Sequence, residues 1–236
     1  MYNYCVRPRA IVKTRKPTPP VRRARGRPPR SRDAGATRKS LLNAAAALFA
    51  ARGFDGVSVA EVARLAGANK ALINYHFGGK LQLYRTIVRE MFAELLDRLE
   101  PLRADPRPPD QLLRELIAIV GDSANRRRPQ LSRMMLREVI AGGPHLDQEV
   151  LVYPMRAFSV VREIIERGVR ERVFRPVDPI MTHLSLLGSL VFFFATADFR
   201  RRMAAEAAIP FATTPPDAYV RHIQELIARG LAVDDA

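Results

Sequence analysis

Cysteine is almost missing from this chain: there is one, Cys5, in 236 residues. That excludes a disulfide framework and a cysteine metal cluster, and points to a reducing compartment. The four histidines, at 76, 145, 183 and 222, are scattered without metal-ligand spacing. There is no Walker loop, dinucleotide fingerprint or G-x-S-x-G elbow. Glu163 and Glu166 come nearest to paired carboxylates, yet Arg162, Arg167 and Arg170 stand around them, which reads as an ion-paired helix surface. These absences argue against an enzyme; no metal and no other cofactor is expected. Strand signals are equally scarce, with no alternating β-branched runs and no Asn-Gly or Asp-Gly hairpin between them.

Acid is missing from one place in particular. Residues 1–30 hold ten Lys/Arg and no Asp/Glu, and residues 31–90 hold nine basic against four acidic side chains. Residues 91–236 hold twenty of each, so the whole net charge of +15 sits in the first ninety residues. A segregated basic region calls for a polyanion, either nucleic acid or an anionic membrane surface.

What is present is helical periodicity. Apolar residues recur at three- and four-residue spacing, which predicts an all-α chain of about nine to ten helices. Residues 1–33 are the exception. Pro8, Pro17, Pro19, Pro20, Pro28 and Pro29 and almost no apolar pattern make them an expected disordered basic arm. That arm has no apolar h-region for secretion, no Ser in its first 30 residues, and too many prolines for a transit-peptide helix.

After the arm, a helix is expected over about 35–52, stopped by Gly53. Ser58 and Glu61 form a capping box that starts a second helix at Val59, and Gly67 breaks it. Asn69 is a good N-cap for a short third helix to Phe77, which Gly78-Gly79 ends. Helix, tight glycine turn, helix is helix-turn-helix geometry. Further helices are expected near 80–102, 110–126, 129–141, 146–171, 179–198 and 216–230. The expected division is an arm at 1–33, a helix-turn-helix head at 34–80 and a regulatory and dimerisation domain at 81–236.

The run "VSVAEVARLAGANKALINYHFGGKLQLY" resembles the N-terminal domain of the TetR family of bacterial transcriptional repressors, over about residues 36–84. The resemblance rests on the V-S-V-A-E-V-A opening, A-G at the turn, N-Y-H-F closing the third helix, and G-K starting the next; the N-Y-H-F-G-G-K wording is most similar to the CecR-like branch. It implies a larger C-terminal helical domain that dimerises through its last two helices and often binds a small inducer. It also implies that Tyr75, His76 and Lys80 contact backbone phosphates.

The residues themselves agree. Asn69, Lys70, Ala71 and Asn74 occupy the exposed phase of the third helix, and a two-turn helix fits a major groove. Lys70 suits guanine, Asn74 suits adenine, and the Ala71 methyl suits a thymine methyl. Lys80 also sits at a helix N-terminus, where backbone N–H groups favour an anion. Each residue has a plainer alternative: Asn69 as a cap only, Tyr75 and His76 as packing, Lys80 as a solvated cation.

The C-terminal part is charge-neutral and less legible. Residues 180–197 carry no charge over 18 positions, although Thr182, His183, Ser185, Ser189 and Thr196 interrupt them. A helix apolar on every side packs its own domain on one face and a partner subunit on the other more plausibly than it spans a membrane. The helix carrying Tyr219, Ile223, Leu226, Ile227 and Leu231 is its natural companion in a homodimer. Met135, Tyr153, Phe158 and His183 are candidate small-molecule effector contacts, with Met134, Phe192 and Phe193 beside them; plain core packing is the alternative. Arg126, Arg127 and Arg128 read as solvated.

The expected function is a cytoplasmic, nucleoid-associated, homodimeric repressor that binds a near-palindromic duplex operator and is released by an effector. The alternatives are an architectural DNA-binding protein without operator choice and a protein of the membrane surface. In the arm, Arg25-Gly26-Arg27-Pro28 resembles the core of the AT-hook, a minor-groove binder in which Arg25 and Arg27 would enter an A·T-rich groove. Diffuse phosphate attraction is the alternative there.

Overall fold

The computed structural model describes residues 31–207 and 213–233, and ten α-helices with no strand lie among them. In chain order they are α1 (Ser31–Arg52), α2 (Val59–Leu65), α3 (Ala71–Phe77), α4 (Lys80–Leu99), α5 (Pro109–Asp122), α6 (Pro129–Ile140), α7 (Gln148–Arg170), α8 (Pro179–Ala195), α9 (Ala197–Ala207) and α10 (Pro216–Leu231).

Proline and short polar residues set most of these boundaries. Proline opens α5, α6, α8 and α10, where its missing N–H costs nothing. The Asp178 carboxylate accepts from the N–H groups of Ile180 and Met181 to cap α8, and Asp147 accepts from Val150 to cap α7. Beyond Leu99 the chain tightens into a 3₁₀ turn, Glu100–Arg103, because Pro101 offers no N–H to continue the α-helix. A single π turn, Ser123–Arg127, follows α5.

The helix α4 is the spine. Leu83, Tyr84, Ile87, Val88, Met91, Phe92, Leu95, Leu96 and Leu99 are all buried, and α4 packs against α1 and α3 as well as α5, α6 and α7. A single contiguous core runs from Leu41 and Phe49 on α1 to Ile223 and Leu231 on α10.

Three expectations are corrected. First, α1 begins at Ser31, so residues 31–33 of the expected arm are helical; no proline stands between Arg30 and Arg52 to prevent it. Residues 1–30 lie outside the described residues. Second, the helix expected over 179–198 ends at Ala195, and α9 leaves at a bend of 55°. The Thr196 hydroxyl donates to the Phe192 carbonyl at 2.7 Å and the Arg200 guanidinium donates to the Phe193 carbonyl, which satisfies the last turn of α8 and lets the chain turn. Third, Arg126, Arg127 and Arg128 are ion-paired rather than merely solvated. Arg126 bridges Asp122 and Asp217, Arg127 meets Asp122, and Arg128 meets Glu94 at 2.6 Å. The Glu163 and Glu166 surface is ion-paired, Glu166 with Arg162 as expected, but Glu163 pairs with Arg103 and Arg167 with Glu171.

Among the described residues no single helix is long and apolar enough to cross a membrane; α8 and α9 pass by length and composition only as a bent pair.

Gly168 marks the tightest packing. A Cβ placed there would lie 2.0 Å from Cδ2 of Phe174, a residue only 3% exposed that forms an antiparallel bridge with Ala232. Gly168→Ala is expected to destabilise the fold by about 1–3 kcal/mol through overpacking, a cost above the gain of up to about 1 kcal/mol in helix propensity. Thermal or urea unfolding reads this, and an unchanged or raised midpoint would contradict it.

Candidate nucleic-acid interface

The site begins at the Ser58 capping box. The Ser58 hydroxyl oxygen accepts from the Glu61 N–H at 3.2 Å, while the Ser58 N–H donates to Glu61 Oε2 at 2.9 Å. Arg52, in the last turn of α1, donates to Glu61 Oε1 at 2.8 Å, so one carboxylate joins the start of α2 to the end of α1. The Ser58 backbone N–H, then Arg52 and the Ser58 hydroxyl, hold the Glu61 carboxyl down at about 2, against an ordinary 4.5.

Between α2 and α3 the backbone turns through Gly67, whose φ of +64° is a conformation that side-chain-bearing residues rarely adopt. The Ala68 N–H donates to the Ala63 carbonyl at 2.9 Å and closes the turn. The N-cap of α3 is Lys70 rather than the expected Asn69, and Asn69, one residue before it, accepts from the Ala71 N–H through Oδ1 at 2.9 Å.

On α3 the inward positions are Ile73 and Phe77, both buried, with Leu72 half-buried; they seat the helix on α4. Outward stand Asn69, Lys70, Ala71, Asn74 and Tyr75, all exposed, and Tyr75 is 79% exposed with its ring edge-on to His76 at 5.0 Å. His76 and Lys80 are half-buried at the rim. An aromatic side chain that exposed gains nothing from the core. The seven head residues named from the sequence thus lie at least partly exposed on α3, the turn before it and the start of α4. Arg25 and Arg27 lie outside the described residues.

Two features of this surface were not legible in sequence. The Lys80 ammonium lies 4.2 Å from the ring centroid of Phe54, and Arg38 of α1 reaches over the Phe77 ring at 5.4 Å while pairing with Glu90. Both contacts join residues far apart in the chain, which no local pattern announces.

The candidate effector contacts are less coherent. Phe158 and His183 meet edge to face at 5.0 Å, and burial pushes the His183 imidazole down, favouring the neutral ring. Met135 and Tyr153 pack half-buried against the core. A cavity of about 320 Å³ lies elsewhere, between α5 and α10, where Arg98, Arg126, Asp122 and Asp217 line it.

A helix-turn-helix with its inward face seated on a core helix, and an outward face that exposes polar side chains, defines a DNA-binding transcriptional regulator. Comparison with known proteins agrees. A family model described as bacterial regulatory proteins, tetR family, matches residues 41–87, and one described as tetracyclin repressor-like, C-terminal domain, matches residues 109–208. The transcriptional repressor NicS of Pseudomonas putida is 30% identical over 205 residues, which span 86% of this chain and 95% of NicS. The crystal structure of PfmR, a TetR family regulator from Thermus thermophilus, aligns with a TM-score of 0.65 at 24% identity, over 82% of this chain and 99% of PfmR. AibR, solved in complex with isovaleryl coenzyme A and operator DNA, aligns with a TM-score of 0.63 at 18% identity, over 80% of this chain and 97% of AibR. The chain belongs to the TetR family of transcriptional regulators.

The Glu61 anchor has a pH signature. A carboxyl held below its unfolded value adds stability that is fully present above about 4.5 and is lost as pH falls from there toward about 2. Glu61→Gln is expected to remove that part of the acid-induced loss of stability, leaving the variant's stability flatter than the wild type's between pH 5 and about 2. Superimposable pH profiles would contradict the assignment.

Proposed function

We propose that the chain is an effector-responsive repressor whose homodimer places two copies of α3 in successive major grooves of a near-palindromic operator. The supporting observation is the outward face of α3, where four polar or small side chains of groove-reading type stand together over a buried Ile73 and Phe77. In this reading Lys70 and Asn74 read base edges, Ala71 contacts a thymine methyl, and Asn69 adds its amide beside them. Tyr75, His76 and Lys80 hold the phosphates on either side. Residues 34–80 are the DNA-binding head and 81–236 the regulatory and dimerisation domain.

The dimer reading draws on α8. Thr182, Leu186, Leu190 and Phe193 turn into the core, whereas Met181, Leu184, Leu187 and Phe192 remain exposed, with Ser185 and Gly188 between them allowing close approach. Leu226 on α10 is likewise exposed. An apolar stripe of this kind is the expected core of an isologous interface. An effector that binds the regulatory domain, with Met135, Tyr153, Phe158 and His183 as its candidate contacts, would change the spacing of the two heads. That is a coupling free energy of typically about 1–3 kcal/mol. Repression by NicS and the coenzyme A complex of AibR support this reading of the shared fold. The arm would lay Arg25 and Arg27 in an A·T-rich minor groove beside the operator.

Selection of bound duplexes from random DNA tests the reading set. The wild type is expected to yield a near-palindrome with A·T-rich flanks. Asn74→Ala should flatten one position per half-site, and removal of residues 1–30 should flatten only the flanks. An unchanged sequence preference in either variant would remove the corresponding contact. Lys80→Ala should instead weaken all duplexes alike and shallow the salt dependence by about one phosphate per head. An unaltered slope in a salt titration would contradict a phosphate contact.

A further inference from the structure

The C-terminal part touches the head through a short polar relay around the Phe54 ring. Phe54 lies in the turn between α1 and α2, against the rings of Phe49 and Tyr84. Two further groups rest on it. One is the Lys80 ammonium at 4.2 Å from the ring centroid, and the other is the imidazole of His145, centroid to centroid 4.1 Å and tilted by 32°.

His145 belongs to the turn between α6 and α7 and is held from three sides. Its Nδ1 lies 2.8 Å from Glu138 Oε1 on α6, a carboxylate whose residue is 3% exposed. Its carbonyl accepts from Arg85 Nε of α4 at 2.9 Å, and Arg85 also pairs at 2.7 Å with Asp147, the N-cap of α7. A buried carboxylate bonded to one ring nitrogen fixes that imidazole far more firmly than an exposed partner would. Beside it, Arg137 of α6 donates to the Ala51 carbonyl at 3.1 Å, near the end of α1.

We infer that His145 is a positioning residue for DNA binding: it fixes the Phe54 ring, and that ring in turn fixes the ammonium of Lys80 at the N-terminus of α4. The inference rests on the reading of Lys80 as a phosphate contact. A cation held over an aromatic face keeps one placement at the surface, whereas a free lysine chain samples many rotamers and loses them on binding. The ring that orders Lys80 is itself ordered from α6, so a displacement of Glu138 reaches the phosphate contact without passing along the recognition helix.

The test is a double-mutant cycle on operator binding with the full chain, using His145→Gln and Lys80→Ala. Glutamine keeps a donor for the Glu138 carboxylate, so the buried acid is not stranded, but it has no ring to lie on Phe54. Matched melting curves establish that both variants are folded, and Phe54→Leu serves in place of His145→Gln if they are not. His145→Gln alone should weaken binding by about threefold to tenfold and already shallow the salt slope by up to about one phosphate per head. Lys80→Ala should cost about tenfold in the otherwise unaltered chain but about threefold or less in the His145→Gln chain, because the two residues act through one contact. Equal Lys80→Ala fold-changes in both backgrounds would overturn the relay while leaving the phosphate contact standing. A Lys80→Ala chain with unaltered affinity and salt slope would overturn both.

Discussion

Everything else in the structure is arranged around α4, ten of whose twenty residues are buried. Its N-terminal half supplies Leu83, Tyr84 and Ile87 to a core shared with α1 and α3, and Tyr84 meets the Phe49 ring edge-on at 5.1 Å. Its C-terminal half supplies Leu95 and Leu99 to the core shared with α5 and α7. Each such side chain contributes about 1.5–3 kcal/mol when fully buried. Polar contacts continue the same spine: Arg98 pairs with Asp122, and Glu100 with Arg156. One helix is thus common property of the DNA-reading head and of the C-terminal helices. A shift of its axis must register in both, and this is the physical basis on which an effector bound in one part can act in the other.

Much of the head was legible in sequence because its geometry is locally encoded. Ser58 and Glu61 lie three residues apart and cap each other, Gly67 provides the positive φ of the turn, and the Asn69 side chain accepts from the first N–H of α3 two residues on. Each is a short-range device, and the first two stand where the spacing puts them, while the N-cap of α3 falls one residue later, at Lys70. What was not legible is long-range. The break at Thr196 depends on an Arg200 that folds back over Phe193, and the arginines at 126–128 find Asp217 and Glu94 only once α10 and α4 are in place. Phe54 and His145 are 91 positions apart and each is unremarkable alone. Their partnership exists only after α6 has docked on the head.

The distribution of charge follows the same division. The excess of basic residues lies in the first ninety positions, and the later part is neutral and laced with ion pairs. A basic head supplies nonspecific attraction to duplex DNA and hence a fast encounter. In the proposed reading, choice among sequences comes from the few side chains that α3 turns outward, with the arm adding a preference for A·T-rich flanks. Affinity, which the charge provides, is thereby separated from specificity, which rests chiefly on α3.

That separation is tested most directly by measuring, at one fixed salt concentration near physiological, the dissociation constants for a duplex obtained by selection and for a scrambled duplex of the same length and composition. The account expects the selected duplex to win by about 10³-fold or more, the range of specific regulators. Comparable dissociation constants for the two duplexes would mean that charge alone does the binding, and would contradict a reading helix.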